Sequence, residues 1–361
     1  MDAEDLNCTQ FGTQFPKPNS TAANSSTFLS IITTVVSTYQ PIHYYLYVSL
    51  VTFSVFANFT ILVVLARKEM RSVGVNVTMM LIAVCDFSCS ISAVLQQFLR
   101  SSDYYKSYFN AYARLTVDYL SLVFHALSLY LAVGMALGRA MALTASNINR
   151  DQWQNPKYAL RIACIWWVPV FLIGSFSLFM NTVYETKELG VYTDVSELSL
   201  KNHCFFMKMS LIVNGVCFKA LPCFLMVCFS LFFLGKIEEG QKRSTTIMSN
   251  QREKNTQIER SSRFIQFVLV MFVITETPPA ILSIIGGLFI IDYINYYQKF
   301  ASILSTISIF NTTLSFIIYS SLSAKFRQLF VQIFIPQALL GRIYRRTSIV
   351  VQPKASTSLT V

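Results

Sequence analysis

Three ionisable side chains stand where water is scarce. Asp86, Lys219 and Glu276 are each the single charge inside an otherwise apolar stretch. A charge in a membrane helix is costly, and it marks a functional site by default. His125 lies in a fourth such stretch. A carboxylate and an ammonium are tolerated in lipid when they pair. The chemistry on offer is an ion pair altered by a ligand or a proton, or a relay of ions. No nucleophile–base pair, metal cluster or phosphate loop stands in the sequence, so an enzyme is not expected.

The elements that position these groups must themselves be membrane helices. Of 361 residues, 53% are hydrophobic and only 13% charged, with mean hydropathy +0.49. Soluble domains are about 25% charged, so a soluble multidomain chain is excluded. Gly 12, Pro 10 and Cys 8 exclude the disordered and disulfide-scaffold classes. A spanning helix needs about 20 apolar residues. Seven runs qualify: Tyr44–Ala66, Asn76–Leu95, Asn110–Leu137, Ile162–Tyr184, Met209–Gly235, Phe264–Ile291 and Phe300–Ala324. The fold expected is an all-α membrane protein, a seven-transmembrane helix bundle in the plasma membrane.

Sorting the net charge of +11 by side orients it. The first, third and fifth connections plus the tail carry +14, the opposite side −2 and the spans −1. The positive-inside rule then puts the N-terminus outside and the tail in the cytosol. Residues 1–43 read as an extracellular segment with glycosylation acceptors at Asn7, Asn19 and Asn24. Residues 44–335 read as the seven-span domain, and 336–361 as a disordered cytoplasmic tail. Sequons at Asn58, Asn76 and Asn311 fall in or under the membrane and are expected to be silent.

Several residues resemble the rhodopsin-like G-protein-coupled receptors. Asn58 looks like that family's span-one asparagine, and Leu81–Asp86 is similar to its LxxxD pattern. The resemblance implies a sodium site at Asp86 with Asn58 nearby; a packing Asp is the plainer alternative. Gly138-Arg139-Ala140 resembles the DRY region with only the arginine kept. Arg139 would then receive the G protein, without the usual lock to a neighbouring acid. Pro222 and Pro278 stand at the family's kink positions, and Ser315–Tyr319 looks like NPxxY with Phe316 for proline. Phe326, Leu329, Phe330 and Ile333 recur at helical spacing, which predicts a C-terminal amphipathic helix on the membrane surface.

A narrower resemblance rests on Phe124–Val133, Lys219–Cys223, Thr275–Leu282 and Asn311–Tyr319. These are similar to the myosuppressin/FMRFamide-type peptide receptors and the related serpentine receptor class W. The most specific mark is Glu276, where most rhodopsin-like receptors carry tryptophan. If spans three, five and six face one another as in that family, His125, Lys219 and Glu276 meet at the floor of an outer cavity. Glu276 would pair with Lys219 or His125. Asp118, two turns above His125, is the acid best placed to enter the cavity from a rim that also holds Asp103, Glu185, Glu188, Asp194, Glu197 and Asp292. A peptide ending Arg-Phe-amide would bring a guanidinium to such acids.

The family's usual span-three cysteine would fall at Arg114. Cys8 and Cys204 are the outer cysteines, either bonded to each other or both free. Thr186–Gly190 and Tyr192–Ser196 are expected to form a hairpin lid. The expected partners are an extracellular amidated peptide, a heterotrimeric G protein, the bilayer and, through a phosphorylated tail, arrestin; nucleic acid is not expected. Beyond a sodium ion near Asp86, no cofactor is expected. Two alternatives are a chemosensory receptor for a small environmental ligand and a proton- or solute-coupled transporter.

Overall fold

The computed structural model of the chain describes residues 27–101, 107–144, 152–153, 155–186, 190–244, 250–290, 293 and 300–335. Seven of its helices are long and apolar enough to cross a membrane. They are α1 (Thr27–Leu65), α2 (Gly74–Ser101), α3 (Tyr108–Thr144), α4 (Pro156–Gly174), α5, α6 (Asn250–Leu288) and α7 (Ala301–Leu322). α5 runs through Glu197–Val213, a π-helical stretch Asn214–Ala220, and Leu221–Ser244. A last helix, α8, covers Ala324–Phe334.

All seven expected spans form, with shifted ends. α1 starts at Thr27 and runs through Pro41, so residues 27–43 are helical and continuous with the first span. The fourth span is shorter than expected. α4 opens with Asn155 as cap, its side chain accepting from the Lys157 amide, and Pro156 at the first position, the order that suits a helix start. It gives way to a 3-10 turn at Ser175–Phe179, and Asn181–Thr186 is a strand rather than the end of the span.

That strand, β1, pairs antiparallel with β2 (Gly190–Val195), Thr186 opposite Gly190 and Asn181 opposite Val195. The expected hairpin is therefore present, but its first strand lies earlier in the chain. Gly190 carries a positive φ of 71°, a conformation glycine adopts without steric cost. Ser196 closes the hairpin by donating to the Phe179 carbonyl (2.6 Å), and it caps α5 by accepting from the Ser199 amide (3.2 Å).

α3 is the central helix. Val123, Leu129, Leu131 and Ala132 are fully or almost fully buried, and the core they anchor includes Ile61, Val64, Met79, Ile82 and Met226. The outward faces carry exposed Phe56, Phe98, Ile165, Leu172, Phe224, Leu231 and Ile274. Seven spanning helices with apolar outer faces are what a lipid-embedded bundle requires.

α8 forms where its spacing predicts it, capped by Ser323. Its apolar stripe lies against the bundle. Phe326 is fully buried, and Leu329, Phe330 and Ile333 are half-buried where they pack on the core. Phe316, the residue in place of the family's proline, makes edge-on contacts with Phe53, Phe326 and Phe330. An aromatic cluster thus stands where the family's proline would be.

Candidate functional site

α3, α5 and α6 bring the three expected floor residues together. Lys219 Nζ lies 2.8 Å from Glu276 Oε2 and donates to it. His125 Nε2 lies 3.1 Å from Glu276 Oε1, yet it is off the line that a good hydrogen bond needs. The carboxylate therefore takes both candidate partners, not one of them. A third donor completes the group: Asn311 Nδ2 of α7 reaches Glu276 Oε1 at 3.2 Å. Glu276 is fully buried, and two oriented donors with the imidazole close by make that tolerable. The legible signal for Asn311 was the polar run Asn311-Thr312-Thr313 inside an apolar span.

Local backbone irregularity aims Lys219. In the π-helical stretch the Leu221 amide reaches back five residues to the Val216 carbonyl. The same pattern would send the Pro222 amide to Cys217, but proline has no N–H. Tyr130 of α3 supplies the missing donor, its hydroxyl 2.6 Å from the Cys217 carbonyl. The Tyr130 ring is held by stacking on Trp166 of α4, centroids 4.3 Å apart. Short π segments inside α-helices are frequent at functional sites. On α6, Thr275 and Thr277 bond back to the Met271 and Val273 carbonyls just before Pro278 and Pro279.

A second polar group lies one turn further along α3. Ser128 donates to Asp86 Oδ1 at 2.9 Å. Ser90 of α2 and Thr312 of α7 both meet Ser54 of α1 at 2.6 Å. Asn58 Nδ2 donates to the Ser54 and Thr312 carbonyls, each at 3.0 Å. Asn58 and Asp86 are not bonded to one another. Instead Asn58 Oδ1, Asp86 Oδ2 and Ser315 Oγ are buried without hydrogen-bond partners among the described residues. Buried unpaired oxygens of this kind suit a hard cation such as sodium. No group of three or more His, Cys, Asp or Glu fit for a metal ion occurs among the described residues. Asn311 and Thr312 are neighbours in sequence, so the two polar groups meet on α7.

Asp118 does not join the floor. It lies seven residues before His125, about 10 Å up the helix. There it is exposed, accepts from Gln96 Nε2 at 2.5 Å, and sits in the field of Arg100 and Arg114. Glu185 accepts from the Tyr108 hydroxyl at 2.7 Å, and Asp194 accepts from the Val195 amide. Asp103, Glu188 and Asp292 lie outside the described residues, as do Asn7, Asn19, Asn24 and the tail.

Cys204 is in a disulfide, while Cys85, Cys89, Cys164, Cys217, Cys223 and Cys228 are free. Cys8 lies outside the described residues. Around Cys204 the backbone departs from the helix: Asn202, His203 and Cys204 hold φ of 52°, 55° and 58°. Such angles are uncommon for side chains of this kind.

At the opposite end, Arg139 of α3 is half-buried beside Tyr319 of α7. Tyr319 in turn donates to Asn76 Oδ1 of α2 at 3.3 Å. Gly138 faces Tyr158 of α4 so closely that a Cβ would stand 2.9 Å from its ring. The absent acid of the arginine motif is thus matched by a tyrosine in the adjoining space. Asn58 and Asn311 are buried and Asn76 is half-buried, in keeping with sequons that are silent.

A seven-helix membrane bundle with an arginine at one end of α3 and a buried polar floor beneath the hairpin end is the architecture of a G-protein-coupled receptor. Residues 43–337 match the family described as serpentine type 7TM GPCR chemoreceptor Srw. The chain belongs to that family, and it is a multi-pass receptor of the plasma membrane, not an enzyme. It is similar to the G-protein coupled receptor dmsr-1 of Caenorhabditis elegans, 25% identical over 373 residues that span 87% of this chain and 72% of that protein.

Proposed function

We propose that this receptor detects an amidated, FMRFamide-like or myosuppressin-like peptide arriving from outside and activates a heterotrimeric G protein. The observation that carries the reading is the buried Glu276 held at once by Lys219 of α5, His125 of α3 and Asn311 of α7. A ligand at this floor touches three helices and the segment of α6 beside Pro278 together. Disturbing the Lys219–Glu276 pair changes how α5 and α6 pack, and α6 carries the change toward the Arg139 end. Pro222 and Pro278 mark where those helices can bend. Arg139 and Tyr319 supply the receiving surface for the G protein, with arrestin served by the tail. In this reading the N-terminus is outside, glycosylated at Asn7, Asn19 and Asn24, and Cys8 bonds Cys204. A sodium ion held by Asp86, Asn58 and Ser315 would supply a positive charge to the lower polar group.

The test is a screen of amidated peptides on cells expressing the full chain with a promiscuous Gα. Calcium responses to peptides ending Arg-Phe-amide are expected. Silence to every peptide, with the receptor at the cell surface, refutes the peptide reading. The description of the matched family names chemoreceptors, which favours a small environmental ligand as the second reading. The same cells challenged with small organic acids and amines separate the two.

A further inference from the structure

The floor of the bundle has more donors than acceptors. Glu276 is fully buried, whereas the Lys219 and His125 side chains remain 13% and 14% exposed. The carboxylate is hidden, Lys219 keeps part of its side chain accessible, and His125 Nε2 is buried against the carboxylate. Its oxygens already accept from Lys219 and Asn311, with His125 Nε2 3.1 Å away. Lys219 has three N–H donors, and Glu276 is its one hydrogen-bond partner among the described residues. An unmet charged donor in a low-dielectric site is costly, and an acceptor that reaches it is bound correspondingly well. A second cation there would face Lys219 at close range with no free carboxylate to receive it.

The next acid up α3 is exposed but also engaged. Asp118 is engaged by Gln96 and lies among Arg100 and Arg114. Acids that stand further out, Glu185 and Asp194, are exposed on the hairpin. Exposed acids thus stand on the hairpin, and the spare donors of Lys219 stand at the floor.

We infer that Lys219, with the His125 ring beside it, forms a subsite for an acyl oxygen, the carbonyl of a C-terminal carboxamide or a carboxylate, and that this subsite rejects a guanidinium. This rests on the reading of the floor as the ligand site, and it sets the direction of entry for an Arg-Phe-amide peptide. The amide end goes down to Lys219, and the arginine stays above with the rim acids. About three extended residues cover the roughly 10 Å between the His125 and Asp118 levels.

The test uses the full-length receptor, purified in detergent, and reads its melting temperature with three small probes. These are N-acetylphenylalaninamide (carboxamide), 3-phenylpropanoate (carboxylate) and phenethylguanidinium (cation). An acyl probe is expected to raise the melting temperature by about 2 °C or more at saturation, and the guanidinium to leave it unchanged. The rise is expected to vanish in Lys219→Met and to persist in Lys219→Arg. A response to the carboxamide alone supports the subsite and a peptide end as its source. A response to the carboxylate alone supports the subsite but points to a small acid, which sinks the peptide reading and not this one. Stabilisation by the guanidinium alone, no rise with either acyl probe, or an undiminished rise in Lys219→Met overturns the inference. If Lys219→Met does not fold, the ranking of probes on the wild-type receptor still decides.

Discussion

Glu276 shows what one buried charge requires of its surroundings. Each of its contacts comes from a different helix, so removing the acid strands an ammonium in a dry interior. Breaking a buried pair from one side costs about 3–5 kcal/mol. Glu276→Ala is therefore expected to lower surface expression and the melting temperature of the solubilised receptor sharply. Glu276→Ala with Lys219→Met leaves neither charge behind and should recover much of the loss. A double variant as unstable as the single one would show that the pair is not what Glu276 contributes. Tyr130 offers a milder test, because its hydroxyl satisfies one backbone carbonyl while its ring stacks on Trp166. Tyr130→Phe keeps the ring and is expected to cost about 1 kcal/mol, read as a drop of a few degrees in melting. At this scale the sequence displayed the actors Asp86, His125, Lys219 and Glu276, because a charge in an apolar run is conspicuous. It did not display Ser54, Ser90 or Ser128, since hydroxyl residues are common in membrane helices and signal nothing by type alone.

Helix contacts depend on where a side chain is missing. Gly215 sits in the π-helical stretch of α5, and a Cβ there would meet the Ile284 backbone nitrogen and the Ser283 Cβ of α6, each at 3.0 Å. Backbone cannot swing aside, so Gly215→Ala should destabilise by about 1–3 kcal/mol and shift ligand-free signalling by parting α5 from α6. Gly235 lies later in α5, where an added Cβ would have nothing within 4 Å. There Gly235→Ala should stabilise by up to about 1 kcal/mol, through helix propensity alone. Melting temperatures of the two variants must therefore move in opposite directions; a common direction would contradict the packing described. Elements were legible in existence and inexact in extent. The fourth span read on to Tyr184 because Phe176–Tyr184 is apolar enough for membrane, and only pairing with Gly190–Val195 turns its end into a strand.

For the whole molecule the charge asymmetry of +14 against −2 sets the direction of insertion. An epitope tag at the N-terminus is expected to stain intact cells, and one at the C-terminus only permeabilised cells. Asn7, Asn19 and Asn24 replaced together by Gln should remove the glycosidase-sensitive shift in gel mobility. Staining of the C-terminal tag on intact cells would reverse the orientation and with it the side from which a ligand reaches Glu276.

The sequence alone determined that this chain crosses a membrane seven times and which charges are trapped within it. Both follow from transfer energies that depend on local composition, with no need to know which helix faces which. Only the tertiary structure decided that Glu276 takes Lys219, His125 and Asn311 together, that Asp118 stays with Gln96 on the way out, and that Phe326 packs inward. Those are outcomes of helix rotation and close approach, fixed by contacts between residues as far apart in sequence as Phe53 and Phe316.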